Sequence, residues 1–180
     1  MSFKKHNDFI KEEGESAVPR IYKKNRNVFL VITRTYNGNV VVYESILDSK
    51  RTISKLDTFW LDIDNKYQQK ARKRKKPHDR VELNTIEKYG FGINVLNKNG
   101  KKWEFNFKQF KTQTFSVEVH DTGVSCFTVL NGKRYKVHHL HIESSSTMLI
   151  PTVKKVVATL CDLDKKQFIS TTVYSTANKS

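Results

Sequence analysis

The residues of this sequence with the clearest capacity for chemistry form one dense cluster of positive charge. The 15-residue window 66–80, called here the basic window, holds eight lysines and arginines against Asp79 alone, so its formal charge is +7. Its cationic residues are Lys66, Lys70, Arg72, Lys73, Arg74, Lys75, Lys76 and Arg80. Such side chains neutralise phosphates and release their counterions, which makes the basic window a candidate polyanion contact.

Composition supports this interpretation, because the whole chain of 180 residues has a formal net charge of +15. A strongly basic protein favours nucleic acid, anionic lipid or another polyanion as its partner. We take nucleic acid as the first choice and a phospholipid or phosphoinositide surface as the alternative. Two further interpretations of residues 70–76 stay open, namely a nuclear-localisation address and a solvated loop without a ligand.

Aromatic side chains near these lysines suggest a second kind of contact, since bases of single-stranded nucleic acid stack on exposed rings. Trp60, Tyr89 and Phe110 lie close to lysines in the sequence, and Trp60 and Tyr89 are the candidate stacking residues. In DTFWLDID (57–64), alternation puts Trp60 on the face that also carries Asp62 and Asp64. We therefore expect Trp60 on the wet face of a strand.

Histidines and carboxylates provide weaker candidates for a metal or acid–base site. His139 and His141 alternate along one strand face, as some metal ligands do, but a third ligand is not evident nearby. His138 alternates with Leu140 and Ile142, so we expect it to point inward, and we expect His139 and His141 to face either solvent or a second layer of the sheet. The pair Asp62 and Asp64 fits a cation site, an acid–base site or a solvated edge. We expect no metal and no cofactor.

Sequence motifs of known catalysis are absent, as inspection finds no nucleophile elbow, zinc-protease, phosphate-loop, dinucleotide-binding or deaminase pattern. Cys126 lies within an apolar strand, which predicts a buried and inert thiol. These observations favour a non-enzymatic binding module. The alternative of another class is a small-molecule-binding or enzymatic β-barrel that uses an interior cavity.

The elements that must position these residues are mostly strands. Alternating or β-branched segments separated by turn signals such as Asn37-Gly38, Asp121-Thr122-Gly123 and Asn131-Gly132 predict successive hairpins. In KKWEFNFKQF (101–110), Trp103, Phe105 and Phe107 share one face and are expected in the core. The pattern predicts a mainly β fold, an antiparallel sandwich or a closed or partly open barrel of about nine strands. One or two short helices accompany it, one over 82–90 capped by Asn84 and ended by Gly90.

Domain organisation follows from the same pass along the chain. Residues 1–24 show neither the helical nor the strand period of apolar residues, which predicts a flexible charged tail. Residues 25–175 are predicted to form one β-rich domain with the basic insertion 66–80. Residues 176–180 are predicted to be a disordered end. The start of the sequence lacks an apolar signal, and no stretch approaches the roughly 20 apolar residues of a membrane span. With only Cys126 and Cys161 present, we expect an intracellular, cytoplasmic protein, with nuclear entry through residues 70–76 as an alternative.

Taken together, several segments carry a family resemblance. The succession NRNVFLVITRTYNGNVVVYES, FWLDI, ELNTIEKYGFGINV, KKWEFNFKQFKTQTFSV, NGKRYKVHHLHIE and IPTVKKV resembles the DUF4833 family of microbial proteins over about Asn25 to Phe168. The resemblance implies no catalytic residues, because the family has no assigned function. ARKRKKPHDR occupies the family's short charged connector and is far more basic than expected there. The lack of a signal peptide separates this chain from members that look exported.

Overall fold

A computed structural model describes residues 17–34, 39–62, 80–144 and 153–176, and their structure is mainly β. Residues 17–24 form helix α1, and Thr85–Phe91 form helix α2. The strands are β1 (Val28–Arg34), β2 (Asn39–Leu47), β3 (Ile53–Asp62), β4 (Arg80–Glu82), β5 (Ile93–Asn99), β6 (Lys102–Phe107), β7 (Phe110–His120), β8 (Gly123–Leu130), β9 (Lys133–Ser144), β10 (Val153–Asp162) and β11 (Gln167–Ser175). Within the described residues, neither helix has the length and apolar composition needed to cross a bilayer.

All eleven described strands belong to one curled sheet. Nine of them follow the path β4-β3-β2-β1-β9-β8-β7-β6-β5, which forms a half-barrel, while β10 pairs with both β9 and β11. Neighbours are antiparallel except for β1 and β9, which are parallel. The predicted mainly β fold with short helices is confirmed, and β10 and β11 bring the strand count above the expected nine.

The predicted hairpins are present because the turn residues suit them. Between β8 and β9, Asn131 and Gly132 have φ values of 51° and 78°, the left-handed pair that a two-residue hairpin turn requires. β5–β6, β7–β8 and β10–β11 likewise pair as antiparallel neighbours. β1 and β2 also pair as predicted, although their turn at 35–38 lies outside the described residues.

Strand β9 joins two arms of the sheet, since it pairs with β8 through residues 133–136 and with β1 through residues 140–142. Rings from both arms meet in the main core. Phe29 contacts Phe105 with ring centroids 5.6 Å apart, and Tyr43 contacts Phe107 at 5.7 Å. Trp103, Phe105 and Phe107 are buried, which confirms their predicted place in the core.

Helix α1 covers part of the opposite face of the sheet. Ala17 and Val18 pack there against Val31, Val42 and other side chains of β1, β2 and β3. Every residue of β1 is therefore buried, as its unbroken apolar run favours. Residues 17–24 were expected to belong to a flexible tail and are instead a packed helix, whereas residues 1–16 lie outside the described residues.

Helix α2 begins as predicted. The Asn84 side chain accepts a hydrogen bond from the Glu87 amide, and the Glu87 carboxylate accepts one from the Asn84 amide, which completes a capping box. The helix continues past Gly90 to Phe91, so Gly92 rather than Gly90 is its carboxyl-terminal cap. Phe91 enters the main core, and this burial explains the extra residue.

Candidate functional site

The outer face of β1–β3 carries a groove beside helix α1, called here the α1 groove. Its volume is about 480 Å³. Its apolar lining comes from α1 and the sheet, and its cationic lining from Arg20, Lys24 and Arg80. The apolar residues are Ala17, Ile21, Val28, Val42, Phe59 and Leu61. The groove therefore combines an apolar floor with positive charge at its edges.

Arg80 is the one member of the predicted polyanion contact that lies within the described residues. Its guanidinium donates to the Glu44 carboxylate at 3.2 Å and also to Asp57, and it lies 3.9 Å above the Phe59 ring. The Asn25 amide donates a second hydrogen bond to Glu44. The charge of Arg80 is thus compensated inside the domain, and Arg80 ties β4 to β2 and β3.

The other seven candidates, Lys66 to Lys76, lie outside the described residues. Their attachment to the domain is nevertheless defined, because Leu61 of β3 and Arg80 of β4 are paired partners that both line the α1 groove. The chain leaves the sheet just after Leu61 and returns at Arg80. Both ends of the segment that contains the basic window are therefore fixed at the groove.

Helix α1 and the residues after it add a second group of positive charges, of which Arg20 and Lys24 line the α1 groove and Lys23 and Arg26 line a separate cleft beside the β7–β8 hairpin. Arg20, Lys23, Lys24 and Arg26 are exposed, and residues 17–27 contain no acidic side chain, which gives them a formal charge of +4. With the +7 of the basic window, the two segments hold +11 of the net +15. The segment that contains the basic window leaves and rejoins the sheet at the groove that Arg20 and Lys24 of α1 also line.

Helix α1 was not predicted, because residues 1–24 taken together show no helical period of apolar residues. The sequence AVPRIYKK contains the missing signal. Val18, Ile21 and Tyr22 have the spacing of one helix face, and Pro19 suits a first helical turn. The apolar face of α1 packs on the sheet, and Arg20, Lys23 and Lys24 consequently face outward.

A second cleft lies between α1 and the β7–β8 hairpin, called here the hairpin cleft, with a volume of about 400 Å³. Tyr22 donates a 2.6 Å hydrogen bond to the His138 carbonyl and fixes α1 above it. At the hairpin, the His120 ring bonds the Ser125 hydroxyl through Nε2 at 2.9 Å and the Thr122 hydroxyl through Nδ1 at 3.1 Å.

The Ser125–His120 pair resembles part of a nucleophilic site, but its surroundings fit a structural role. Nucleophilic sites add a group that orients the base and donors for the developing oxyanion. Here the Thr122 hydroxyl occupies the orienting position, and Ser125 lies within the β7–β8 ladder opposite Glu118. We assign these hydrogen bonds to stabilisation of the hairpin.

The structure corrects the expected position of Trp60. The side chain is only 4% exposed, with its ring centroid 5.3 Å from that of Phe91 and 4.6 Å from the Arg34 guanidinium. Strand β3 is covered on both faces. The main core packs on one face, and on the other pack the apolar residues of α1 and its neighbours, called here the α1 cluster, so alternation did not identify a solvent-exposed face. Phe110 is also buried, whereas Tyr89 on α2 is 60% exposed.

For the histidines of β9, the solvent-facing alternative for His139 and His141 is wrong, their burial is compatible with the second-layer alternative, and His138, expected to point inward, is only half-buried. His139 and His141 are buried, and His141 Nδ1 lies 2.7 Å from the Thr33 hydroxyl. His138 is half-buried and contacts the rings of Tyr22 and Phe168. Among the described residues, no three potential ligands are grouped so as to hold a metal ion. Asp64 lies outside those residues, as does the side chain of Asp62.

Both cysteines are free thiols. Cys126 is fully buried, and burial raises the pKa of its thiol well above the ordinary value. The burial of Cys126 confirms the predicted buried position, and a thiol with a raised pKa holds little thiolate at neutral pH. Cys161 is half-buried.

A comparison with protein families matches residues 30–171 to a domain of unknown function, DUF4833. The chain belongs to the DUF4833 family. This match confirms the resemblance noted in the sequence, and no curated protein and no solved structure matches the chain. The matched region of this DUF4833 protein includes the basic window and most of the sheet. Helix α1, which supplies the second group of positive charges, precedes the matched region.

Proposed function

We propose that this DUF4833 protein is a non-enzymatic binding module that contacts a polyanion, with nucleic acid as the first choice. One observation supports the proposal: the segment that contains the basic window leaves the sheet next to Leu61 and rejoins it at Arg80, and both residues line the groove beside the cationic helix α1. At physiological salt, the screening length of exposed charges is about 8 Å, so cations attached near one another can act together on a polyanion. A single strand of nucleic acid bound along the α1 groove would contact the cations of α1 and those of the basic window.

The physical basis is counterion release. Each lysine or arginine that neutralises a phosphate releases condensed cations, so affinity falls steeply with salt and depends little on base sequence. The exposed cations of α1 are compatible with such contacts, because no carboxylate occurs in residues 17–27. Arg80 has a different role, since Glu44 and Asp57 already compensate its charge.

Fluorescence anisotropy with a labelled single-stranded oligonucleotide at low salt tests this function. We expect Ala substitution of Arg72, Lys73, Arg74, Lys75 and Lys76 to weaken binding by about 100-fold or more, since each lost phosphate contact removes counterion release. The matched control removes five exposed lysines elsewhere, namely Lys50, Lys55, Lys101, Lys111 and Lys165. Equal affinity of the variant with these five Ala substitutions, called here the window variant, and of the wild type would refute the proposal.

The same variants separate nucleic acid from an anionic membrane. Each cationic residue near such a membrane contributes about 1 kcal/mol, so the basic window would also favour a phosphoinositide surface. We expect oligonucleotide binding to persist when vesicles containing phosphatidylserine and a phosphoinositide are added. Tight co-sedimentation with these vesicles, combined with loss of oligonucleotide binding, would assign the window to a membrane instead.

A further inference from the structure

The α1 groove has the features of a site for a flexible apolar chain. Its floor is formed by Ile21 of α1, Val28 and Val42 of the first two strands, and Phe59 and Leu61 of β3. Its volume of about 480 Å³ falls within the range of roughly 300–1,000 Å³ typical of small-molecule pockets. Val28, Val42 and Phe59 are almost fully buried, so a linear hydrocarbon in the groove would contact mainly Ile21 of α1 and Leu61 of β3, which shield part of it from water.

The charges at the groove all have the same sign. Arg20 and Lys24 lie one turn apart on α1, and both are exposed at the groove. The third cation, Arg80, is compensated by Glu44 and Asp57, neither of which lines the groove. The net charge presented to an occupant therefore comes from Arg20 and Lys24, which complement an anionic group.

We propose that the α1 groove binds a single-chain anionic amphiphile, a linear aliphatic chain ending in a carboxylate. The chain lies against the apolar floor, and the carboxylate pairs with Arg20 and Lys24. A neutral chain of the same length would gain only the apolar contact. A short carboxylate would gain only the charge contact, which is weak at an exposed site.

Isothermal titration calorimetry of the full chain tests the site with decanoate below its micelle-forming concentration. Decanol and butyrate are the matched ligands that lack the charge and the chain. We expect one saturable decanoate site per chain and affinities for both matched ligands lower by about tenfold or more. Equal binding of decanol would refute the role of Arg20 and Lys24, and no saturable decanoate binding would overturn the proposal.

Two variants locate the ligand. The double substitution Arg20→Glu and Lys24→Glu affects exposed residues, and it should weaken decanoate binding by about tenfold or more while leaving decanol binding unchanged. Ile21→Trp fills the groove and should abolish binding of both. The control Lys101→Glu with Lys111→Glu changes the same charge elsewhere. Decanoate affinity equal to wild type in both groove variants would overturn the assignment.

The groove site shares Arg20 and Lys24 with the proposed polyanion contact, but substitutions in the basic window and at Ile21 separate the two. The window variant Arg72→Ala to Lys76→Ala leaves the floor of the groove intact, so it should bind decanoate with wild-type affinity. Ile21→Trp should in turn leave oligonucleotide affinity unchanged. Loss of decanoate binding in the window variant would contradict the groove site, because decanoate would then be bound by the cations of the basic window.

Discussion

Leu61 of β3 and Arg80 of β4 are paired neighbours at the edge of the sheet. Because both also line the α1 groove, the segment between them starts and ends beside helix α1. This relationship places the two ends of the segment that contains the basic window beside α1, which is about 40 residues away in the sequence. It is the observation from which we propose that the basic window and α1 contribute to one polyanion contact.

Arg80 is predicted to be a stabilising residue rather than a ligand contact. Arg80→Ala should lower the free energy of unfolding by about 1–3 kcal/mol, because Glu44 would stay buried without its cation. Urea denaturation measures the change. The double variant Arg80→Ala with Glu44→Gln should recover part of the loss, since it removes the uncompensated charge. A change of less than about 0.5 kcal/mol in Arg80→Ala would contradict this role.

Tyr22 is predicted to hold α1 on the sheet. Tyr22→Phe removes the hydrogen bond to the His138 carbonyl and should lower the free energy of unfolding by about 1 kcal/mol. Burial also raises the pKa of the Tyr22 phenol well above its ordinary value, so the hydroxyl remains a donor up to strongly alkaline pH. Tyr89→Phe, at an exposed site, serves as the control, and an equal effect of both substitutions would argue against the Tyr22 contact.

Asp162 makes stability depend on pH. The hydrogen bond from Lys133, 2.6 Å long, and the amides of Lys165 and Asp164 hold the pKa of Asp162 below its ordinary value of 3.8. A carboxyl whose pKa is lowered by folding stabilises the protein above its unfolded pKa and loses that contribution as the pH falls through its folded pKa. Wild type should therefore be more stable than Asp162→Asn at neutral pH.

Urea denaturation of wild type and Asp162→Asn from about pH 6 to about pH 2 tests this dependence. The difference in unfolding free energy should be largest near pH 6 and should shrink in the acid range. Asn keeps an acceptor for the turn amides, so the comparison isolates the charge. A difference that stays constant across the range would show that Asp162 does not titrate as described.

Trp60 and Tyr89 are predicted to respond oppositely to substitution. Trp60→Ala should lower the free energy of unfolding by about 3–5 kcal/mol, because it empties a core site against Phe91. Tyr89→Ala should change stability by less than about 0.5 kcal/mol and should weaken oligonucleotide binding by about fivefold or more if a base stacks there. Anisotropy on the folded Trp60→Phe variant should show unchanged affinity, and a marked loss would contradict the core assignment.

Local sequence rules predicted much of this fold. The Asn131-Gly132 turn, the Asn84 capping box and the alternation of Trp103, Phe105 and Phe107 each depend on neighbours a few residues away. Such signals are read directly from spacing. For this reason the hairpins and the start of α2 appear where they were expected.

Features that depend on distant contacts were not predictable in the same way. The parallel pairing of β1 with β9 joins residues more than 100 positions apart. Trp60 was assigned to the wrong environment because β3 is covered by the core on one face and by the α1 cluster on the other. Local alternation could not decide whether His139 and His141 face solvent or a second layer, and they are buried because β9 is the strand where the two arms of the sheet meet.

The salt dependence of oligonucleotide affinity tests the central claim most directly. A plot of log affinity against log salt has a slope of about −0.7 for each phosphate contact to a single strand. Ala substitution of the five cations Arg72 to Lys76 should reduce the magnitude of this slope by up to about 3.5. Ala substitution of Arg20, Lys23 and Lys24 should reduce it by up to about 2. Reductions in both variants are the predicted result. Slopes in both variants equal to that of the wild type would contradict a polyanion contact at this face.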